Sequence, residues 1–257
     1  MVDKQIFQGY VDFLKENDPF KRPSMLYENY DYSGSHATIA RCFIIHFKES
    51  HPEYIDAAIE LMENAVEKMF SEEGEEGRID TDQMIWGYND LSVWYGIYKS
   101  DMETALNFAN KGIELLQTTP DQDLFFGVRG QLWFNRWVSM LRLGKEEEAL
   151  KECRGKIDEA TRKDLNYVSN SMLYYAYQFL AYVSGRHGDY LQAIDHLEKG
   201  AQFIDLREEV RKVELREFQE ILKLRENHPE ECYKQLGKLL DRVSSLHQAW
   251  DFDGRVT

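Results

Sequence analysis

The chain has 257 residues, of which 43% are hydrophobic and 30% charged, a composition typical of a globular protein. Its 31 basic and 46 acidic residues give a formal net charge of -15, and no basic patch opposes that field, so nucleic acid is not an expected partner. No stretch approaches the roughly 20 apolar residues of a membrane span, and the start MVDKQIFQGYVDF is unlike a signal peptide, so we expect a cytoplasmic protein without membrane contact.

The predicted secondary structure is helical throughout. Ile6, Tyr10 and Phe13 recur at helical spacing, which predicts a short first helix that ends before Pro19. A tyrosine-rich segment at 20–32 follows and is predicted to be an ordered strap. From Ser35 onward the apolar period predicts helices at roughly 35–49, 53–70, 80–99, 102–117, 121–143, 146–162, 165–187, 190–204, 206–226 and 229–248.

Prolines and glycines mark the ends of these helices. Pro52, Pro120 and Pro229 lie near helix starts, while Gly144 and Gly188 lie where a left-handed residue closes a helix. The acidic run from Ser71 to Gly77 is predicted to be a mobile loop.

The turns between helices contain a repeated pattern. Leu143–Ala149 (LGKEEEA) aligns with His187–Ala193 (HGDYLQA), and looser copies are Lys99–Ala105 and Ser50–Ala57. The alanines that end these segments are 48, 44 and 44 residues apart, which predicts four related helix pairs. An alanine is expected early in the second helix because two helices that cross closely after a short turn leave no space for a larger side chain.

This pattern resembles the tetratricopeptide repeat, whose units carry a large residue, a leucine and a small residue in the first helix and a G-x-Y-x-x-A turn. The fourth repeat matches at Tyr177, Leu180, Ala181, Gly188, Tyr190, Ala193, Leu197 and Gly200. The third matches in part at Trp133, Trp137, Gly144, Ala149 and Cys153, and the second at Tyr88, Leu91, Ser92, Tyr95, Ala105 and Ala109, with Ser100 in place of glycine. The resemblance covers residues 36–204 and implies an all-α fold, a right-handed superhelix (α-solenoid) of antiparallel helix pairs.

The resemblance also implies a domain organisation. Residues 1–34 form a cap helix and strap, residues 35–204 four helix pairs, and residues 205–257 a capping helix pair with a short tail. The repeats exceed the usual 34 residues by about ten, which is similar to the peptide-sensing helical domains of Rap-type regulators. Only about 32 residues precede the repeats, too few for the effector module of those regulators. Trp250 and Phe252 of the tail, or the C-terminal helices, are candidate contacts for a homodimer.

The predicted binding surface is the concave wall, which the first helix of each pair lines in such a superhelix. The candidate residues are Asn89, Asp90, Trp94, Gln131, Phe134, Asn135, Arg142, Tyr175, Gln178, Tyr182 and Arg186. Amides that pair with a peptide backbone next to aromatic rings suit a short peptide or a protein segment. The predicted function is therefore a non-catalytic protein- or peptide-binding scaffold, or a cytoplasmic peptide sensor.

Alternatives stay open for several of these residues. Trp94, Tyr175 and Tyr182 fit a place between packed helices at least as well, and the amide of Asn135 needs a hydrogen-bond partner from either a helix or a ligand. Arg142 or Arg186 could anchor a peptide carboxylate or pair with a nearby acid. An enzyme with an aromatic-lined cleft around 86–95 is the remaining alternative, although Asp90 has no evident partner carboxylate.

No cofactor and no metal are expected. Cys42, Cys153 and Cys232 lie far apart and form no C-x-x-C pair, which predicts reduced, buried thiols. The seven histidines are not spaced as metal ligands, and the chain has no Walker, G-x-S-x-G, H-E-x-x-H or Rossmann motif.

Overall fold

The computed structural model describes residues 2–76, 81–119, 126–162, 167–203 and 216–243. Within these ranges the chain is helical and has no β-strand, so the predicted all-α class is confirmed. Two compact units divide the chain, Met1–Thr119 and Pro120–Thr257, and their boundary falls between the second and third predicted repeats. No described helix is long and apolar enough to cross a membrane.

The first unit holds one helix before the predicted repeats and four within them. These are α1 Lys4–Asn17, α2 Ser33–Cys42, α3 Tyr54–Glu76, α4 Thr81–Tyr98 and α5 Met102–Thr118. A 3-10 turn at Ser24–Leu26 lies in the predicted strap, and α2 continues into a π-helical turn at Phe43–Phe47.

Helix ends in the first unit follow local chemistry. The carboxylate of Asp3 accepts a hydrogen bond from the backbone N–H of Gln5 at 2.8 Å and caps α1, and the carboxylate of Asp101 accepts one from that of Thr104 at 3.0 Å and caps α5. Ser100, which replaces the glycine of the repeat, has a left-handed φ of 53°. The turn before α5 therefore keeps the backbone conformation of a glycine turn without the glycine.

In the second unit, the described helices are α6 Phe126–Arg142, α7 Glu146–Arg162, α8 Tyr167–Arg186, α9 Tyr190–Ala201 and α10 Pro229–Val243. Residues 216–222 are also helical. Gly144 and Gly188 close α6 and α8 with φ of 77° and 76°, as the sequence predicts.

One predicted loop is helical. Helix α3 continues through Glu76, so the loop predicted at Ser71 to Gly77 is wrong for residues 71–76, while Gly77 lies outside the described residues. Glutamate is a good helix former, and a glycine inside a helix costs only about 1 kcal/mol. The packing of the preceding turns of α3 outweighs that cost.

Two helices end earlier than predicted. Helix α9 ends at Ala201 instead of continuing to 204, and the helical segment 216–222 gives way to turns before 226. There the backbone N–H groups of Lys223 and Leu224 donate to carbonyls three residues earlier, which tightens the chain. The predicted residues 206–215 and 244–248 and the tail with Trp250 and Phe252 lie outside the described part.

Within each unit, consecutive helices pack in the order expected for helix pairs. In the first unit α2 packs on α3, α3 on α4 and α4 on α5; in the second α8 packs on α6, α7 and α9, and α10 packs on α9. Helix α8 also approaches α10 so closely that a Cβ on Gly185 would lie 2.5 Å from Cζ of Tyr233. A side chain at position 185 would require the Tyr233 ring to move.

The alanines of the repeated turns lie at close helix crossings. Ala105, Ala149 and Ala193 have no exposed surface, and Ala57 is half-buried. At the α4–α5 crossing, the hydroxyl of Ser92 donates to the carbonyl of Ala105 at 2.9 Å. Full burial of three of the four alanines is compatible with the predicted need for small residues there.

Candidate functional site

The predicted binding residues of the first unit are buried in α4. Trp94 has no exposed surface, and Asn89 and Asp90 are also buried. The carboxylate of Asp90 accepts a hydrogen bond from Nε of Arg41 on α2 at 2.7 Å, and Nη1 of Arg41 donates to the Gln83 side chain at 3.3 Å. The remaining nitrogen, Nη2, is buried without a partner among the described residues. The Asp90 carboxylate, a predicted binding group, therefore links α4 to α2.

Most predicted binding residues of the second unit are buried as well. Phe134, Asn135, Tyr175, Gln178 and Tyr182 are buried, Gln131 and Arg142 are half-buried, and Arg186 is exposed. The rings of Phe134 and Tyr175 contact each other between α6 and α8, with centroids 6.2 Å apart.

Side chains on this buried face of α8 also form hydrogen bonds that reach α10. The Gln178 amide donates to the Tyr174 hydroxyl at 2.9 Å, and that hydroxyl donates to the Leu240 carbonyl at 3.3 Å. The alternative place between packed helices thus fits Trp94, Tyr175 and Tyr182, and their role in binding stays a prediction.

An open cleft of about 420 Å³ lies elsewhere in the second unit, between α7 and the α8–α9 hairpin. Three helices and one turn line it: Glu146, Leu150 and Arg154 of α7; Leu180, Val183 and Ser184 of α8; His187 of the turn; and Asp189, the N-cap of α9, with Gln192 and His196 of that helix. Residues three or four apart on a helix share a face, so α7 and α9 each present one stripe to the cleft. Gly188 makes the tight turn that brings the α8 and α9 stripes together.

The acidic groups of the cleft have partners inside the protein. Oε1 of Glu146 lies 2.7 Å from Nε2 of His187, which joins the start of α7 to the α8–α9 turn. The Asp189 carboxylate caps α9 by accepting the backbone N–H of Gln192 at 3.1 Å. Neither carboxylate depends on a ligand for a hydrogen bond.

The basic and amide groups of the cleft have fewer hydrogen-bond partners within the protein. Arg154 is exposed and has no hydrogen bond or ion pair to the described residues. The Ser184 hydroxyl donates to Oε1 of Gln192 at 3.0 Å, which leaves the amide nitrogen of Gln192 without a partner there. Nδ1 of His196 is buried and also lacks a partner among the described residues. The exposed groups, the Arg154 guanidinium and the Gln192 amide nitrogen, can only donate, whereas the buried Nδ1 of His196 is closed to a ligand in the cleft.

His196 is held in place on α9 by its surroundings. Its ring stacks on Tyr177 with centroids 6.2 Å apart. Burial lowers the pKa of His196, and the positive charges of Lys199 and Arg154 lower it further, against the opposing effect of Asp195. The imidazole is therefore neutral at pH 7.

The sequence did not predict this cleft as a site. The predicted binding surface consists of first helices, whereas two walls of the cleft come from the second helices α7 and α9. One signal was present: the segment His187–Ala193, which best defines the repeat, contributes three lining residues. Which basic residue lacks a partner could not be inferred from that pattern.

The described residues offer no evident centre for metal or thiol chemistry. No group of three His, Cys, Asp or Glu residues in the described ranges is arranged to hold a metal ion. The three cysteines are buried and free, as predicted. Burial raises the pKa of Cys42 and of Cys232 to about 11 and that of Cys153 still further, so the thiols are protonated at neutral pH.

Comparison with known proteins found no match to a protein-family model, to a curated protein or to a solved structure. The tetratricopeptide resemblance therefore rests on the repeated sequence pattern. Packing of helix pairs within each unit is compatible with it.

Proposed function

We propose that the chain is a non-catalytic binding protein of the cytoplasm, built from tetratricopeptide-like helix pairs, that holds a short peptide or a segment of another protein. The observation that carries this proposal is the cleft between α7, α8 and α9, which combines an apolar wall with donors that have no partner among the described residues. Its volume lies in the range of sites that bind small ligands or a few side chains.

Repeated helix pairs support a binding role because they expose grooves between neighbouring second helices. Ala149 and Ala193 bring each second helix close to its first helix, and the turns at Gly144 and Gly188 fix the connection. The groove between α7 and α9 then has α8 as its floor. Such a groove is fixed by packing before a ligand arrives, which lowers the entropic cost of binding.

A matched pair of variants tests whether this cleft binds peptides. Random dodecapeptides displayed on phage are selected on the intact chain, and the enriched peptides are measured by fluorescence anisotropy. Gln192 and Gln202 both lie exposed, the first in the cleft and the second at the end of α9. We expect Gln192→Trp to reduce binding at least about tenfold by filling the cleft, and Gln202→Trp to leave it unchanged.

Two results would contradict the proposal. One is a selection that enriches no peptide. The other is a set of peptides that bind both tryptophan variants as they bind the unchanged chain, because their site then lies outside the cleft. Circular dichroism spectra of both variants check that the helices are retained.

A further inference from the structure

We infer that the cleft of the second unit recognises a carboxylate next to an apolar side chain, as an acidic peptide segment would present them. This inference rests on the proposed function and names the chemistry of its ligand. Its basis is a difference in hydrogen bonding: the acids of the cleft are hydrogen-bonded within the protein, whereas the exposed Arg154 guanidinium and Gln192 amide nitrogen have no partner among the described residues.

The available groups require an acceptor on the ligand. A guanidinium has only donors, and the side-chain oxygen of Gln192 is already used by Ser184. A carboxylate offers two oxygens with about four acceptor positions and pairs with a guanidinium in a charge-assisted, often bidentate contact. Arg154 is exposed and solvated, so a neutral acceptor gains an ordinary hydrogen bond to it, whereas a carboxylate gains a stronger, charge-assisted one. An ammonium group would be repelled at direct contact with the guanidinium.

The apolar wall lies one helical turn from Arg154. Leu150 precedes Arg154 by four residues on α7, a rise of about 6 Å, and Leu180 and Val183 of α8 line the same cleft. An extended peptide advances about 6.6 Å in two residues. A carboxylate and an apolar side chain two positions apart in a peptide can therefore reach Arg154 and Leu150 together.

The overall negative charge does not forbid an acidic ligand. The formal net charge of -15 is spread over the chain, and at physiological salt exposed charges are screened beyond about 8 Å. Inside the cleft, Glu146 has its partner in His187 and Asp189 bonds to the backbone of α9. Both carboxylates keep their charges despite these hydrogen bonds, so a carboxylate ligand is expected to bind where it contacts Arg154 directly.

The test uses pools of fluorescein-labelled heptapeptides with Leu at position six and Glu, Gln or Lys at position four, the other positions being Ala, Ser, Gly or Thr. All pools are acetylated and amidated at their ends, and binding to the intact chain is measured by anisotropy. We expect the Glu pool to bind at least about tenfold more tightly than the Gln pool, and the Lys pool to bind most weakly. A Gln pool with a free C-terminus distinguishes a terminal carboxylate from a side-chain carboxylate.

Arg154→Met is expected to reduce the affinity for the Glu pool to that for the Gln pool. Arg162→Met, a change of another exposed arginine on α7 outside the cleft, is expected to keep the difference. Equal binding of the Glu and Gln pools that is still lost in Gln192→Trp would overturn the carboxylate inference and leave the proposed function standing. Absence of binding by every pool would also overturn the carboxylate inference, while the dodecapeptide selection decides the proposed function separately.

Discussion

Arg41 of the first unit and Arg154 of the second show two ways in which a helical protein uses an arginine. Arg41 extends from α2 to the buried carboxylate of Asp90 on α4, with 2.7 Å between Nε and Oδ2. Arg154 lies on α7 at the edge of an open cleft and bonds to none of the described residues. The first arginine is occupied by the fold, and the second is available to a ligand.

Two histidines share one feature and differ in another: Nδ1 of both His36 and His196 is buried without a partner among the described residues, but only His196 lines the cleft. Nε2 of His36, which is 1% exposed, lies 2.8 Å from the Tyr30 carbonyl and 3.2 Å from Nζ of Lys68. His196 stacks on Tyr177 instead and lines the cleft. Burial and the presence of a polar side chain do not by themselves identify a binding site. An exposed polar group such as Arg154 is hydrogen-bonded to water and can exchange that water for a ligand, whereas a buried group is closed to a ligand.

The largest effect is expected from Asp90→Asn, which removes the charge that compensates Arg41. Breaking a buried ion pair leaves an uncompensated charge in a poorly solvated place, and because Arg41 is partly exposed we expect a loss of about 2 to 3 kcal/mol in the free energy of unfolding. Urea titration followed by tryptophan fluorescence measures it, since Trp94 is fully buried in the same helix.

The control is Asp195→Asn, the same substitution at a more exposed ion pair with Arg225. Surface ion pairs contribute at most about 1 kcal/mol, and Arg225 also keeps its contact with Glu198 at 2.7 Å. Equal losses in the two variants would mean that the ion pair between Arg41 and Asp90 contributes no more to the free energy of unfolding than a surface ion pair does.

A smaller effect is expected from acidification through His36. Burial lowers the pKa of His36, and the nearby charge of Lys68 lowers it further, although the hydrogen bond to Tyr30 opposes both. The unfolded chain therefore binds a proton at a higher pH than the folded chain does, so stability decreases as the pH falls below about 6.5, the ordinary pKa of histidine.

Urea titrations at pH 7 and pH 5 measure this loss. We expect His36→Phe, which keeps a ring beside Phe7 and Tyr30, to lose less stability between the two pH values than the unchanged chain does. Buried carboxylates such as Asp18 have a lowered pKa and titrate below this window. A loss of the same size in both proteins would show that His36 does not titrate with folding.

The sequence predicted the helix pairs because their determinants are local. Gly144 and Gly188 adopt the left-handed φ that a helix-closing glycine allows, and Ala149 and Ala193 have no exposed surface. Each of these pairs of residues is 44 positions apart, the spacing that a repeated helix pair would produce. The loop predicted for the acidic run is wrong at 71–76. A glycine and several acids can end a helix, yet this segment continues the preceding turns of α3.

The candidate site could not be located in this way. Helix α8 carries apolar residues on all sides, so no amphipathic stripe distinguishes Tyr175, which contacts α6, from Leu180, which lines the cleft. The face that is buried depends on distant contacts, such as that of Gly185 with Tyr233 on α10. Likewise, the sequence analysis selected Arg142 at the end of a first helix, and only the fold shows that Arg154 of the following helix lines an open cleft.

The smallest effect on stability is expected from Arg154→Met. The aliphatic part of methionine replaces most of the apolar surface of the arginine stem, and the substitution breaks no hydrogen bond or ion pair to the described residues. The free energy of unfolding should therefore change by less than about 0.5 kcal/mol. Arg41→Met, the same substitution at the occupied arginine, should cost about 2 kcal/mol because it removes the ion pair from the buried Asp90 carboxylate. If urea titration gives both variants the same loss of stability, the fold depends on Arg154 as it does on Arg41, and the distinction between the two arginines fails. If Arg154→Met is stable but no longer prefers acidic peptides, this arginine acts in binding.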